Sequence, residues 1–238
     1  MTICGIASRG LRSPTRRRLM PKTLPAPVFL ILSLMATCPP AAQAQPGAAT
    51  ITYRRVFKGS LPEFIEIKIT NAGAATFDVR QLDEDPDAQP FEVGSPIREK
   101  IFELAADLNH FAAADLEVAK RLANLGQKTF RYERDGESHE ASFNYTLNAT
   151  ANQLMQIFEG LARQQRHLTT LERRMVFDRL GVNDALRQFE VDLEHGVLPE
   201  PERLLPVLEQ IAADPRFMDL VRTRARALAE RVRNARAH

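Results

Sequence analysis

The sequence predicts an α+β protein, in which an antiparallel sheet with one or two helices is followed by an all-helical C-terminal half. Between Ile51 and Thr146 apolar and polar residues mostly alternate, as in half-buried strands. From Asn148 onward apolar residues recur every three or four positions, the period of a helix. The predicted divisions are a signal peptide over 1–44, the sheet with its helix over 45–147, and a helical region over 148–238, packed on the sheet or bundled.

Two hairpins are predicted in the sheet. Strands at about 63–70 and 75–82 should pair antiparallel, because Asn71-Ala72-Gly73 between them supplies residues that tolerate positive φ. Asp135-Gly136 predicts a second turn, between strands at about 128–134 and 140–145. This pairing should bring together Phe130 and Tyr132 on one strand with Phe143 and Tyr145 on the other.

A helix interrupts the strands. Ser95 before Pro96 predicts a helix start, with Ser95 as the cap and Pro96 at the first helical position. The segment from Ala112 to Leu125 is ambiguous, since its leucines suit a second helix that Gly126 would end. The apolar stripe of the first helix is Ile97, Ile101, Leu104 and Leu108.

Four helices are predicted after Asn148. The first is long, and its heptad-like seam needs a partner helix to cover it. The second spans about 183–195 between Gly181 and Gly196. The third spans 204–213, where Pro206 either kinks the helix or marks its true start. Asp214-Pro215 opens the last helix. Its buried stripe is Phe217, Val221, Leu228 and Val232, and the seam of the long helix is Leu154, Leu161, Leu168 and Met175.

The first 44 residues resemble an export leader. Basic residues precede an apolar run from Pro27 to Ala36, and Ala42-Gln43-Ala44 forms a small-x-small cleavage signal before Gln45. The run is shorter than the roughly 20 residues that cross a bilayer as a helix. The predicted location is therefore the periplasm or the medium. Three alternatives stay open: a start at Met20, twin-arginine export through Arg16 and Arg17, and lipidation of Cys38.

Removal of this leader would change the composition of the chain. The leader holds six of the 32 basic residues and none of the 30 acidic ones, so the formal charge of +2 becomes −4. An acidic chain argues against nucleic acid as a partner. Both cysteines, Cys4 and Cys38, also lie in the leader. The mature chain would have no disulfide, thiolate metal site or cysteine nucleophile.

Several short segments together resemble a family of uncharacterised exported proteins from Acidobacteria. The resemblance implies an exported bacterial protein with no assigned activity, and it transfers no functional residue. The segments are Leu125-Gly126-Gln127-Lys128-Thr129-Phe130-Arg131-Tyr132-Glu133, Phe143-Asn144-Tyr145-Thr146, Phe158-Glu159-Gly160-Leu161-Ala162, Pro206-Val207-Leu208-Glu209 and Arg216-Phe217.

Two groups of residues have the types that bind metals. An acidic loop could offer oxygen ligands to calcium, but Pro86 breaks the spacing that a calcium loop requires, so a solvated loop is favoured. Asp192 and His195 are three apart on a predicted helix, a spacing that suits a metal site. No second such pair accompanies them, and His195 better fits the last turn before Gly196. The acidic loop contains Asp83, Glu84, Asp85 and Asp87.

Two sets of basic residues could bind an anion. The set on the long helix alternates with acids, which is typical of a solvated face. The set on the last helix faces only Asp219 and Glu230, and could meet anionic lipid or an acidic partner. The first set is Arg163, Arg166, His167, Arg173 and Arg174. The second is Arg216, Arg222, Arg224, Arg226, Arg231, Arg233 and Arg236.

No motif assigns chemistry to a named residue. None of the five histidines lies in a nucleophile elbow, and His110-Phe111 better suits a core or capping role. No catalytic, cofactor-binding or metal-binding residue is therefore predicted. The favoured hypothesis is an exported, non-catalytic binding or interaction module of the cell envelope. The alternative is a periplasmic hydrolase whose site assembles only in three dimensions.

Overall fold

The computed structural model describes residues 47–118 and 123–236, so the predicted signal peptide lies outside the described residues. An antiparallel sheet of six strands comes first in the chain and helices follow it, which confirms the α+β prediction. The strand order is β4-β3-β2-β1-β5-β6. The strands are β1 Thr50–Val56, β2 Phe64–Thr70, β3 Ala74–Arg80, β4 Gln89–Glu92, β5 Gln127–Arg134 and β6 Glu137–Phe143.

Both predicted hairpins are confirmed. β2 pairs with β3 and β5 pairs with β6, each antiparallel. Asp135 and Gly136 both have positive φ, 51° and 86°, as a two-residue hairpin turn of the primed kind requires. The alternation of the strands puts Ile51, Tyr53 and Ile67 on the face that the helices cover.

One predicted aromatic contact forms and another does not. The rings of Phe130 and Phe143 lie 5.4 Å apart across β5 and β6. Tyr145 follows the end of β6 and is 38% exposed, so its predicted place in the strand is wrong. Tyr132 instead packs on His110, with ring centroids 4.4 Å apart. This contact supports the core interpretation of His110.

The first helix, α1, spans Ser95–Asp107 and begins one residue earlier than predicted, because Ser95 and not Pro96 is its first residue. Gly94 is the residue that precedes it, and Ser95 makes no capping hydrogen bond, so the predicted cap is wrong. The carboxylate of Glu200 accepts a hydrogen bond from the Gly94 amide at 2.7 Å. A side chain distant in the sequence thus supplies the acceptor at this helix start, which no local pattern could reveal.

The possible second helix between Ala112 and Leu125 is not present where the structure describes this segment. Residues 112–118 and 123–125 are irregular, and 119–122 lie outside the described residues. A short 3-10 turn, Asn109–Phe111, ends α1, and its three residues have positive φ. Phe111 there is buried and stacks on Phe130 at 5.3 Å.

The long helix α2 spans Ala149–Phe177. Asn148 caps it, because the side-chain oxygen accepts a hydrogen bond from the Ala151 amide at 2.9 Å. The predicted seam is buried in two separate hydrophobic cores and is not covered by one partner helix. Leu154, Phe158 and Leu161 belong to the core beneath the sheet, and Leu171 belongs to the core of the helical half.

Three further α-helices follow within the described residues, namely α3 Val182–Glu194, α4 Leu205–Ala213 and α5 Asp219–Arg236. Pro206 lies in the first turn of α4, so it marks the helix start and does not kink the helix. Asp214-Pro215 belongs to a loop before α5, and the predicted start there is wrong by several residues. The predicted stripe Phe217, Val221, Leu228 and Val232 is buried.

Side-chain contacts fix the directions of these helices. Asp192 near the end of α3 meets Arg163 and His167 of α2, so α2 and α3 are antiparallel. Arg224 meets Asn183 and Arg231 meets Glu194, so α3 and α5 run the same way. The α2–α3 turn and the α4–α5 loop therefore lie at the same end of the helical half.

Candidate functional site

The acidic loop does not gather its carboxylates around a common point. Residues 83–87 form turns and irregular backbone with exposed side chains. Glu84 forms hydrogen bonds with residues close to it in the chain: its carboxylate accepts one from the Gln81 amide, and its backbone carbonyl accepts one from the Arg80 side chain. Within the described residues, no three His, Cys, Asp or Glu side chains group closely enough to hold a metal ion.

The Asp192–His195 pair does not form a site. His195 follows the last turn of α3 and is exposed, in agreement with the helix-end interpretation. Asp192 points to α2, where one carboxylate oxygen lies 2.6 Å from Nε2 of His167 and the other lies 3.3 Å from Arg163. The predicted solvated face of α2 thus contains an inter-helix contact. The partners are 25 and 29 residues apart, so the sequence carried no local signal for it.

His167 is the most enclosed of these groups, with a side chain 11% exposed. Its ring also meets Phe189 edge-on at 5.7 Å. Burial lowers the pKa of His167, because the charged form loses hydration. The hydrogen bond and charge of Asp192 oppose this effect, and the charges of Arg166 and Arg163 add to it. The neutral imidazole is therefore favoured in the folded protein.

We expect stability to fall as the pH drops below about 6.5, the ordinary pKa of histidine. An unfolded His167 binds a proton there more readily than the folded one, so acid favours the unfolded state. Urea midpoints measured between about pH 5 and 8 should show this loss. His167→Gln should flatten that part of the profile, and the matched exposed variant His195→Gln should not. If the urea midpoint depends on pH in His167→Gln as it does in the parent protein, His167 is not the group that causes the loss of stability.

The arginines of α5 are largely neutralised by acids of neighbouring elements. Arg231 lies 3.0 Å from Glu190 and 3.2 Å from Glu194, and Arg233 pairs with Glu209. Arg216, in the loop that precedes α5, donates to Asp214 and so lowers the pKa of that carboxyl to about 2. The one-sided basic face that the sequence indicated is thus balanced in three dimensions. The acids come from α3, α4 and the preceding loop, which a helical projection of α5 alone does not include.

A second surface lies at the end of the helical half where α2 meets α3 and α4 meets α5. Five large apolar side chains there are more than half exposed, and we call them the apolar end. The members, each with the exposed fraction of the residue, are Val176 (66%), Phe177 (83%), Leu180 (81%), Met218 (57%) and Leu220 (63%). This surface was not predicted from the sequence, because its two groups of residues are separated in the chain by about forty residues.

Several arginine side chains lie next to the apolar end. Arg174 donates to the carbonyl of Gly181, and Arg222 pairs with Asp219 at 3.1 Å. Arg173 and Arg179 are exposed, and in the described part of the chain neither has an acidic oxygen within 4.0 Å. A cleft of about 390 Å³ lies beside Arg173, Arg174 and Phe177. Apolar and cationic side chains are therefore adjacent on this surface.

A polar network beneath the sheet joins the two halves. The Tyr53 hydroxyl donates to Glu159 at 2.6 Å, and Arg55 lies 2.9 Å from the same carboxylate. Tyr53 is fully buried, and burial is the largest cause that raises its pKa well above 10.0. With its phenol kept neutral and its hydroxyl bonded to Glu159, Tyr53 fixes α2 against β1.

No protein-family model matches the chain, and no curated protein matches it significantly. The resemblance to exported proteins from Acidobacteria accordingly stays a prediction. The described residues contain no helix with the length and hydrophobicity that a membrane span requires.

Proposed function

We propose that the protein is an exported, non-catalytic module of the bacterial cell envelope that binds the membrane surface through the apolar end. The observation that carries this proposal is the set of five exposed apolar side chains at one end of the helical half, around the α2–α3 turn and the start of α5. Transfer of each large apolar side chain out of water is worth about 1.5–3 kcal/mol, so a partner that buries these side chains gains that free energy. Export through the predicted leader would bring the molecule to such a surface.

The shape and chemistry of the apolar end favour a bilayer over a protein groove. Phe177 and Leu180 are more than four-fifths exposed, so they project from the molecule and can enter an interface. Arg173 and Arg179 can keep their guanidinium groups at the level of lipid phosphates while their alkyl stems lie deeper. The neutralised outer face of α5 is not part of the contact, and nucleic acid is not a proposed partner.

Vesicle flotation tests this proposal. The mature chain should float with vesicles of phosphatidylglycerol and phosphatidylcholine in equal parts, and Phe177→Ser with Leu180→Ser should weaken this binding at least about tenfold. Because both side chains are exposed, the double variant should keep the melting temperature of the parent protein.

Leu61→Ser is the matched control, since Leu61 is 86% exposed in the loop between β1 and β2, outside the apolar end. Its vesicle binding should equal that of the parent. Equal binding by the parent and the double variant, or an equal loss in Leu61→Ser, would contradict the proposal.

A periplasmic hydrolase stays the second candidate, because the His167–Asp192 pair has the geometry of a base with its orienting carboxylate. In the described residues no hydroxyl group hydrogen-bonds to His167, so the nucleophile of such a mechanism is missing from the pair. Turnover of nitrophenyl esters by the parent, abolished in His167→Gln, would favour this candidate.

A further inference from the structure

A cleft near the apolar end lies between α2 and α3 and has a volume of about 880 Å³. Residues three or four apart on a helix share one face, so α2 turns a single face to this cleft. The α2 side of the cleft is lined by Arg166, His167, Thr170 and Arg174. The residues that line its α3 side include Asp184 and Arg187. Arg174 also borders the small cleft next to Phe177, so the two cavities adjoin.

Most acids of this cleft are matched by cations from outside it. Asp192 is held by Arg163, and Glu190 and Glu194 by Arg231 of α5. Neither Arg163 nor Arg231 borders the cleft. Of the acids that border it, Asp184 alone has no cation within 4.0 Å among the residues that the structure describes.

The arginines of the cleft are less engaged. Arg166 on α2 and Arg187 on α3 are exposed, and within the described ranges neither has an acidic oxygen within 4.0 Å. Arg174 donates to a carbonyl through one nitrogen and lies 4.0 Å from Asp178. In the part of the chain that the structure describes, three guanidinium groups therefore outnumber the one unpaired carboxylate of the cleft, Asp184, and two of the three come from different helices.

We propose that the cleft between α2 and α3 binds a phosphate group through Arg166 and Arg187, with Arg174 at its end toward the apolar end. Guanidinium groups supplied by two helices of one cleft suit the several oxygens of a phosphate, because each guanidinium can donate two hydrogen bonds to it. The phosphate can belong to a lipid headgroup or to a free phosphate ester. The lipid source rests on the proposed function, whereas the phosphate chemistry does not.

His167 provides an internal reporter of occupancy. Its ring borders the cleft, where it faces Asp192 of α3 and lies near Arg163 and Arg166 of its own helix. A bound anion favours the charged imidazole and so raises the pKa of His167. Inorganic phosphate should shift the imidazole resonances of His167 in a saturable way and should move their titration midpoint upward.

Arginine variants test which groups bind. The combined change Arg166→Gln with Arg187→Gln should lower the affinity for inorganic phosphate about tenfold or more, as expected for two lost charge-assisted contacts. The lysine versions of the same changes should keep part of the affinity, because they keep the charge. Arg226→Gln is the matched control, since this exposed arginine lies beside α4, outside the cleft. Absence of a saturable phosphate effect, or equal affinity in the glutamine variant, would overturn the proposal.

Vesicle binding separates the two sources of the phosphate. For a lipid headgroup, the glutamine variant loses affinity for phosphatidylglycerol vesicles, and inorganic phosphate competes with the parent protein. For a free ester, the glutamine variant keeps its vesicle binding and loses only the soluble ligand. The Phe177→Ser and Leu180→Ser variant should bind inorganic phosphate normally, so failure of the membrane proposal and failure of the phosphate site give different results.

Discussion

Replacement of Phe158 by alanine is expected to lower the free energy of unfolding by about 3–5 kcal/mol, the usual cost of such a change in a core. Phe158 is fully buried on α2 and stacks on Tyr53 at 5.3 Å. Its ring also lies 6.3 Å from that of Phe130 on β5. The truncation leaves a cavity between rigid strands and a long helix, which cannot close over it.

Urea titration measures this loss as a lower midpoint with an unchanged slope. Phe177→Ala is the matched control, since the same change on the same helix removes a side chain that is 83% exposed. It should change the free energy of unfolding by less than about 0.5 kcal/mol. Similar midpoints for the two variants would show that the core beneath the sheet is not packed as described.

The second large effect is expected at Gly160, where alanine should cost about 1–3 kcal/mol through overpacking. A Cβ atom there would lie 2.6 Å from the carbonyl oxygen of Val197 and 2.8 Å from Cδ of Pro199. Both atoms belong to the segment between α3 and α4. This segment is held near α2 because the backbone N–H of Glu200 donates a hydrogen bond to the side-chain oxygen of Gln164 at 2.9 Å. The loop therefore has little room to move away.

The sign of this effect is informative. In an open helix the same change stabilises by about 1 kcal/mol, because alanine has the higher helix propensity. A lower urea midpoint in Gly160→Ala thus reports the close approach of the loop to α2. An equal or higher midpoint would mean that the loop does not rest on this helix.

Much of the sheet could be predicted because its signals are local. The alternation of Ile65, Ile67 and Ile69 and the Asp135-Gly136 turn involve neighbours in the chain, and both hairpins formed as predicted. The short strand β4 at the sheet edge was not predicted, since Pro90 and its polar neighbours give no alternating pattern. Its pairing with β3 comes from the tertiary structure and not from its own composition.

Helix positions were predicted better than helix ends. The buried stripe of α5 followed from its spacing, but its start did not, since Asp214 pairs with Arg216 in a loop instead of opening the helix. The start of α1 depends on Glu200, which lies 106 residues away. Contacts of that kind decide boundaries and are absent from any local window.

The candidate surfaces were predicted least. His167, Arg166 and Arg174 were predicted to belong to a solvated face, but the side chain of His167 contacts Asp192 of the neighbouring helix. The arginines of α5 were predicted to form a basic surface, but Glu190 and Glu209 pair with several of them. Each difference arises because charge and exposure depend on neighbouring helices, whereas helical periodicity describes one helix at a time.

The length of α2 sets a distance between the two parts of the molecule. At 1.5 Å per residue, its 29 residues span about 44 Å from Ala149 to Phe177. The apolar end is at one extremity of this rod, and the sheet packs against the opposite portion. A molecule anchored by Phe177 would therefore hold its sheet up to a few nanometres above the bilayer, clear of the lipid headgroups and open to other molecules of the compartment.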